Sequence, residues 1–344
     1  MNPAWQNLLQ ENGARIADED VTDFGNPPVE LLAARDGTVV VPLAHLGLIR
    51  ATGEDAAEFL HNLTSNDVKK LGVQSAQYSS FNTAKGRMLA SFLLWREDGD
   101  YLVQLSRDIQ PAIQKKLSMY VLRSKVKLSD ATDSRLVVGV AGPDAAALVK
   151  GLGASLPEAS MGVLPFPGGI VIRLGDTRFL LALEADKAAS AWTQLAAKAV
   201  PAGTPVWRWL DIRAGIPRIS QATQEEFVPQ MTNLDLVGGV SFTKGCYPGQ
   251  EIVARTRYLG KIKRRMFLGH AEATPTIGAH VYAPETGEQA CGMVVDAVPA
   301  PGGGVDVLAV MQISCAEAGD IRLATPDGAR LSLLSLPYAL ESAN

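Results

Sequence analysis

The most distinctive segment of this 344-residue chain is Lys244-Gly245-Cys246-Tyr247-Pro248-Gly249-Gln250-Glu251. Its two glycines permit backbone conformations that other residues avoid, and its proline fixes one φ angle. The segment therefore predicts a tightly shaped turn that carries Cys246, with a helix beginning near Gln250. A positive side chain such as Lys244 and the start of a helix both favour the thiolate form of a nearby cysteine. We interpret Cys246 as a functional thiol assisted by Lys244; a buried cysteine that serves only packing is the alternative.

The residues around this turn extend the pattern in both directions along the chain. The segments that carry it are 238–255 (GGVSFTKGCYPGQEIVAR), 215–217 (GIP), 227–234 (FVPQMTNL), 120–126 (YVLRSKV), 53–60 (GEDAAEFL) and 63–68 (LTSNDV). Together they span about residues 41–265 and resemble the YgfZ family. Members of that family are bacterial folate-binding proteins, also called tRNA-modifying proteins, and mitochondrial relatives assist iron–sulfur cluster assembly. The family is related to the glycine-cleavage T-protein.

The resemblance implies an α+β fold, the three-lobed ring of the T-protein with a central folate pocket. It implies a discontinuous folate-binding domain at residues 1–130 and 205–265, a ferredoxin-like domain at 131–204 and a C-terminal β-barrel at 266–344. The residue pattern is compatible with this division. Strands and helices mix between residues 126 and 200, a Pro/Gly linker is predicted at 201–205, and short strands separated by turns follow residue 266.

One feature of the T-protein is missing from this chain. The resemblance places that family's acidic pair at Ala90-Ser91, and no carboxylate occurs between Lys85 and Arg96. Without an anion the pocket lacks a group that orients and stabilises the cationic amine of aminomethyl transfer. We therefore expect a non-enzymatic or weakly enzymatic protein. The alternative is a tetrahydrofolate-dependent one-carbon transferase or demethylating enzyme, with a carboxylate supplied by Asp67, Asp211 or Asp235.

The resemblance also implies a cofactor, tetrahydrofolate or another reduced folate. Two tryptophans are associated with folate in the bacterial family; one corresponds to Trp207 here and the other to Leu46. A flat pterin suits stacking on an aromatic ring and contact with an apolar wall. We predict that Trp207 and Leu46 line the folate pocket, with simple core packing as the alternative for Trp207.

Charge and composition restrict the remaining function classes. The net charge of −4 argues against a protein that coats nucleic acid. One basic run stands out, formed by Arg255, Arg257, Lys261, Lys263, Arg264 and Arg265. It fits a phosphate backbone or a folate tail, although a solvated face is the commoner role. Direct RNA binding is thus a second alternative, and direct tRNA contact is not favoured.

The remaining patterns concern compartment and partners. No apolar stretch approaches the length of a membrane span, the chain opens without a secretory pattern, and neither cysteines nor histidines show metal-ligand spacing. We expect a cytoplasmic protein without a metal site. Its function, as the resemblance implies, is to bind folate and support assembly or repair of iron–sulfur enzymes, and through them tRNA modification. The expected partners are reduced folate and iron–sulfur enzymes or assembly proteins.

Overall fold

The computed structural model describes residues 1–258 and 262–340. Its helices are α1 (Pro3–Glu11), α2 (Pro27–Asp36), α3 (Ala56–Leu63), α4 (Gln110–Ser118), α5 (Ala145–Gly151), α6 (Ala185–Ala196), α7 (Thr204–Arg213), α8 (Gln250–Tyr258) and α9 (Ile313–Ala318). Its strands are β1 (Arg15–Ala17), β2 (Asp20–Asp23), β3 (Val39–Pro42), β4 (Leu46–Thr52), β5 (Ala76–Asn82), β6 (Met88–Glu97), β7 (Asp100–Ser106), β8 (Lys127–Asp130), β9 (Arg135–Ala141), β10 (Val163–Phe166), β11 (Gly169–Arg173), β12 (Arg178–Glu184), β13 (Val200–Pro201), β14 (Arg264–Ala271), β15 (His280–Tyr282), β16 (Gly292–Pro299), β17 (Val305–Gln312), β18 (Ile321–Leu323) and β19 (Arg330–Leu334). Within the described ranges no helix combines the length and the apolar character that crossing a bilayer requires.

The chain forms two compact units, and each is built from separate stretches. The first unit contains Met1–Ala56, Lys70–Gln77 and Leu93–Trp207. The second contains Ala57–Lys69, Tyr78–Phe92 and the chain from Arg208 onward. The domain boundaries predicted near residues 130, 204 and 265 stay predictions.

A six-stranded sheet organises much of the first unit, in the order β10-β11-β12-β9-β3-β13. Its pairs are antiparallel except for β3 with β13. The helix α6 buries Trp192 in the core, where its ring meets that of Trp5 edge to face with centroids 5.6 Å apart. Trp5 belongs to α1, so the start of the chain contributes to this core. The polar composition of the first 28 residues concealed that contribution.

A second sheet in this unit contains the C-terminal half of β6, followed by β7, β4 and β8. The helix α4 begins beside Pro111, as the sequence predicts, but ends at Ser118. The sequence, in which Pro111 fits the first turn of a helix, predicts that the helix runs to about Leu122. The chain instead enters a turn, and Leu122 adopts a φ angle of +44°, which is incompatible with a right-handed helix.

The Pro/Gly stretch at residues 201–205 differs from the predicted linker, because residues 202–204 are buried and the stretch is hydrogen-bonded to β3 and α2. The amide of Ala202 donates to the carbonyl of Val40 at 3.0 Å, and the amide of Gly203 donates to the Glu30 carboxylate at 2.9 Å. Glycine is required at position 203 because a Cβ there would lie 2.3 Å from the carbonyl oxygen of Thr22. Proline and glycine here shape a packed crossing of the chain.

The second unit ends in a closed barrel, with strand order β14-β17-β16-β15-β18-β19. Alternate residues of the barrel strands, such as Val307, Ala309 and Met311, fill a buried apolar core. Closure pairs β14 with β19, which removes exposed sheet edges. The predictions of an α+β fold and of a C-terminal β-barrel are confirmed.

Candidate functional site

The turn that carries Cys246 packs against a second turn of the same unit. Gly249 has a φ angle of +79°, and a Cβ there would lie 2.5 Å from both Gly86 Cα and the Thr83 carbonyl oxygen. Position 249 thus requires glycine for conformation and for space. Gly245 does not share this property, because its φ angle is outside the left-handed region. The helix α8 begins at Gln250, as predicted.

The buried side chain of Lys244 holds this turn in place by hydrogen bonds. Only 8% of the residue is exposed, and its ammonium group donates to the carbonyl oxygens of Thr64 at 2.6 Å, of Asn66 at 3.2 Å, and of His61. These carbonyls lie in the last turn of α3 and just beyond it, where helix carbonyls lack partners and carry partial negative charge. An ammonium group has three donor hydrogens, and all three are used here. The Cys246 turn is thereby attached to the end of α3.

Ionisable neighbours surround the Lys244 ammonium group. Burial lowers the pKa of Lys244 to about 8, although the Asp67 carboxylate opposes that shift, and the side chain remains charged at neutral pH. Burial, followed by the charge of Lys244, lowers the pKa of His61, so its ring is neutral at pH 7. The His61 Nδ1 atom lies 3.1 Å from an Asp67 oxygen. Burial also raises the pKa of Tyr247, whose ring centroid lies 4.9 Å from the Lys244 ammonium.

Cys246 projects from this anchored turn and is exposed, whereas Cys291 and Cys315 are buried in the barrel. Burial and the neighbouring Cys315 raise the pKa of Cys291 to about 12. The three cysteines therefore separate into one accessible thiol and two packed thiols. Because Lys244 uses all its donors on carbonyl groups, it positions the turn rather than hydrogen-bonding a thiolate. The functional role predicted for Cys246 stays a prediction.

Ala90 and Ser91, at the positions where the resemblance places an acidic pair, are packed into the protein. Ala90 is fully buried. The Ser91 hydroxyl donates to the carbonyl oxygen of Pro217 at 3.0 Å and accepts from the amide of Ile219 at 3.0 Å. A methyl group and a hydroxyl with a donor and an acceptor partner thus occupy the two positions where the resemblance places an acidic pair. These two hydrogen bonds connect β6 to residues 217–219.

Three carboxylates were considered as substitutes for the acidic pair, and each has surroundings of its own. Asp235 forms a two-pronged ion pair with Arg265, at 2.7 and 3.1 Å, and both side chains are buried. Asp67 lies beside His61, and Asp211 is a partly exposed residue of α7. Arg265 is therefore a core residue and does not belong to a basic surface.

The rest of the predicted basic run divides as follows. Lys261 lies outside the described residues. The exposed members are Arg255, Arg257, Lys263 and Arg264. The guanidinium of Arg257 lies 4.3 Å from the Phe242 ring centroid, a cation–π contact.

The two predicted folate-contacting residues belong to the first unit. Trp207 is 1% exposed and packs on β9, where a Cβ at Gly139 would lie 2.2 Å from its ring. The guanidinium of Arg178 covers the ring face, 4.8 Å from the centroid. These contacts are those of core packing, the alternative that the sequence left open.

Leu46 is partly exposed at the start of β4. It lines a cavity of about 30 Å³ together with residues that include Trp5, Arg107 and Asp133, but Trp207 does not line it. This volume suits about one water molecule. The predicted contact of Leu46 and Trp207 with folate stays a prediction.

Two buried aspartates of the barrel were not found from the sequence. The Asp296 carboxylate accepts from Arg208 and from Arg218 Nε, the latter at 3.2 Å. Asp306 accepts from Trp209 Nε1 at 2.9 Å. These bonds attach the C-terminal half of α7 to β16 and β17. In the sequence, each of the two aspartates interrupts an otherwise apolar strand, and this interruption is the feature that could have identified them.

Comparison with known proteins is consistent with this geometry. The family model described as the GCVT N-terminal domain matches residues 24–238. The tRNA-modifying protein YgfZ of Enterobacter sp. (strain 638) is 32% identical over 324 residues, covering 92% of this chain and 98% of that protein. The chain belongs to the YgfZ family. Membership of the YgfZ family confirms the resemblance that was drawn from the segments between residues 41 and 265.

A solved structure supports the fold expected of a YgfZ protein. The glycine cleavage system aminomethyltransferase T from Bartonella henselae superposes with a TM-score of 0.81, covering 97% of each chain at 18% identity. At that identity the likeness concerns the fold alone. The predicted T-protein-like fold is confirmed.

Proposed function

We propose that this protein is a folate-binding accessory factor that supports the assembly or repair of iron–sulfur enzymes, including those that modify tRNA. The observation that carries the proposal is the exposed Cys246 thiol on a turn anchored by Lys244 and Gly249. A thiol at such a place is accessible to another protein while its position is held. The cytoplasmic location predicted from the sequence belongs to this proposal.

An accessory role fits the site better than aminomethyl transfer. Ala90 supplies no charge, and Ser91 is engaged on both sides by backbone groups. Asp235, one of the three substitute carboxylates, is neutralised by Arg265. Transition-state stabilisation of a cationic amine requires an anion placed in advance. In the described part of the chain, the Ser91 hydroxyl is hydrogen-bonded to backbone groups of Pro217 and Ile219 and not to a carboxylate.

Family membership supports the two remaining parts of the proposal. The relative from Enterobacter is named a tRNA-modifying protein. The fold shared with an aminomethyltransferase is consistent with a folate-type ligand. Trp207 and Leu46 enter this proposal only as residues to test, because one is buried and the other faces a very small cavity.

A complementation experiment tests the proposed role. Cells that lack the protein are supplied with the wild-type chain, Cys246→Ser or Thr243→Ser, and an iron–sulfur-dependent tRNA modification is quantified by mass spectrometry. Thr243 is the matched control because it is an exposed residue of the same segment. We expect the wild type and Thr243→Ser to restore the modification and Cys246→Ser to fail at equal protein abundance. Full rescue by Cys246→Ser would show the thiol to be dispensable and would overturn the proposal.

A further inference from the structure

Large apolar side chains are exposed where the chain leaves α4. Met119 is 64% exposed, Tyr120 44% and Leu122 88%. Single exposed apolar residues are ordinary on protein surfaces, whereas a cluster marks a contact surface. These three side chains lie within four consecutive residues of the first unit. We call the segment from Met119 to Lys125 the exit turn.

The backbone of the exit turn is strained at its most exposed residue. Leu122 has a φ angle of +44°, a region that glycine or asparagine normally occupies. The turn is closed by the amide of Ser124, which donates to the carbonyl oxygen of Val121 at 2.7 Å. It therefore combines an unfavourable backbone angle with an apolar side chain in water. Strain of this kind persists where a surface has a task.

A groove lies beside Leu122. It has a volume of about 730 Å³ and is lined by Asp55, Tyr120, Leu122, Arg123 and Ser124. Tyrosine and arginine are enriched at the centres of protein interfaces, where apolar anchors enter pockets. The lining thus has the composition of a docking groove.

Charge identifies the kind of partner. The cations of the exit turn and its flanks are Lys115, Lys116, Arg123, Lys125 and Lys127. Two carboxylates contact this segment: Glu54 pairs with Lys125, and Asp55 accepts from the Lys125 amide at 2.7 Å. This excess of cations occurs in a chain whose net charge is −4. An acidic partner is complementary to it.

We propose that the exit turn docks an acidic protein segment that inserts an apolar side chain into the groove beside Leu122. Carboxylates of that segment pair with Arg123 and the lysines at the end of α4. This inference goes beyond the proposed function and does not depend on folate or on Cys246.

Binding of a labelled peptide to the full chain tests the proposal. The probe is a synthetic peptide in which glutamates flank a Leu-Phe pair, and glutamines replace the glutamates in the control peptide. We expect the acidic peptide to bind, added salt to weaken it, and Leu122→Asn to weaken it about tenfold. Val73→Asn should leave binding unchanged, because Val73 is also an exposed apolar residue, at 64%, but is not part of the groove lining.

Thermal unfolding of Leu122→Asn separates docking from a structural role. Asparagine tolerates a positive φ angle, so the variant should unfold at the same or a higher temperature while binding less peptide. A lower unfolding temperature would make Leu122 a structural residue and overturn the proposal. Absence of acidic-peptide binding would also overturn it. The proposal would also be overturned if a single-stranded RNA of equal charge bound in the peptide's place and Leu122→Asn weakened that binding. It would likewise be overturned if sedimentation showed that the chain self-associates through Leu122.

Discussion

The ammonium group of Lys244 donates to the carbonyl oxygen of Thr64 at 2.6 Å. This bond joins residues that are 180 positions apart in the sequence and connects the Cys246 turn to the end of α3. A cation at the C-terminal end of a helix interacts favourably with the helix dipole and with unpaired carbonyls. The most distinctive lysine of the sequence is therefore a positioning residue.

Replacing Lys244 should loosen the Cys246 turn. Lys244→Met retains an unbranched side chain but leaves the three carbonyl oxygens without their donor, so we expect unfolding to become easier by about 1–3 kcal/mol. Hydrogen exchange of the amides at residues 244–250 should accelerate more than exchange in the barrel. Lys263→Met, at an exposed lysine, is the control and should change neither quantity. Unchanged exchange in Lys244→Met would show that the turn is held by other contacts.

The packing of Gly249 against Gly86 predicts a large effect of a single methyl group. Gly249→Ala introduces both an unfavourable φ angle and a Cβ placed 2.5 Å from Gly86 Cα. Gly99→Ala is a matched control, because Gly99 has a φ angle of +89° and nothing within 4 Å of its added Cβ. Chemical denaturation should show a loss of about 1 kcal/mol for the control and a clearly larger loss for Gly249→Ala. Equal losses would mean that the two turns separate at little cost.

The exposure of Cys246 predicts selective alkylation. In the folded protein iodoacetamide should modify Cys246 first, because the other two thiols are buried. Burial and the neighbouring Cys315 also raise the pKa of the Cys291 thiol, so the reactive thiolate form is disfavoured at neutral pH. Peptide mass spectrometry measures the three rates, and denaturant should make them similar. Modification of Cys291 at the rate of Cys246 in the folded state would contradict this assignment.

The buried Asp296 predicts a loss of stability in acid. Burial alone raises its pKa, but the guanidinium groups of Arg218 and Arg208 more than compensate, and the pKa lies below the usual value of 3.8. A carboxyl whose pKa is lower in the folded state stabilises fully above its unfolded pKa. That stabilisation disappears as the pH falls from about 4 through the folded pKa.

The substitution Asp296→Asn tests whether Asp296 causes this loss of stability in acid. At neutral pH it should cost about 3 kcal/mol, because two guanidinium groups lose their counter-charge. Its unfolding temperature should also vary less with pH below 4 than that of the wild type. Asp176→Asn, at a fully exposed side chain paired with Arg173, should have almost no effect. Parallel pH profiles for the wild type and Asp296→Asn would contradict the ion-pair explanation.

The sequence by itself determined the features that depend on neighbouring residues. Glycine and proline spacing predicted the Cys246 turn and the start of α8 at Gln250, because backbone conformation follows from local sterics. Turn-separated short strands predicted an all-β C-terminal module, and the family resemblance implied that it is a barrel and that Ala90-Ser91 stands where an acidic pair is expected. The sequence also predicted family membership, because the resemblance is carried by short runs of consecutive residues, and the relative from Enterobacter confirms it.

Only the tertiary structure decided which distant groups meet. It directed Lys244 to carbonyls at the end of α3 and just beyond it, placed Arg265 in an ion pair with Asp235, and buried Trp207 against Gly139. From the sequence alone, Lys244 is expected beside a thiol, and Arg265 and Trp207 beside a ligand. Side-chain chemistry states what a residue is able to bind, whereas burial and the nearest partner, which depend on long-range packing, decide what it does bind.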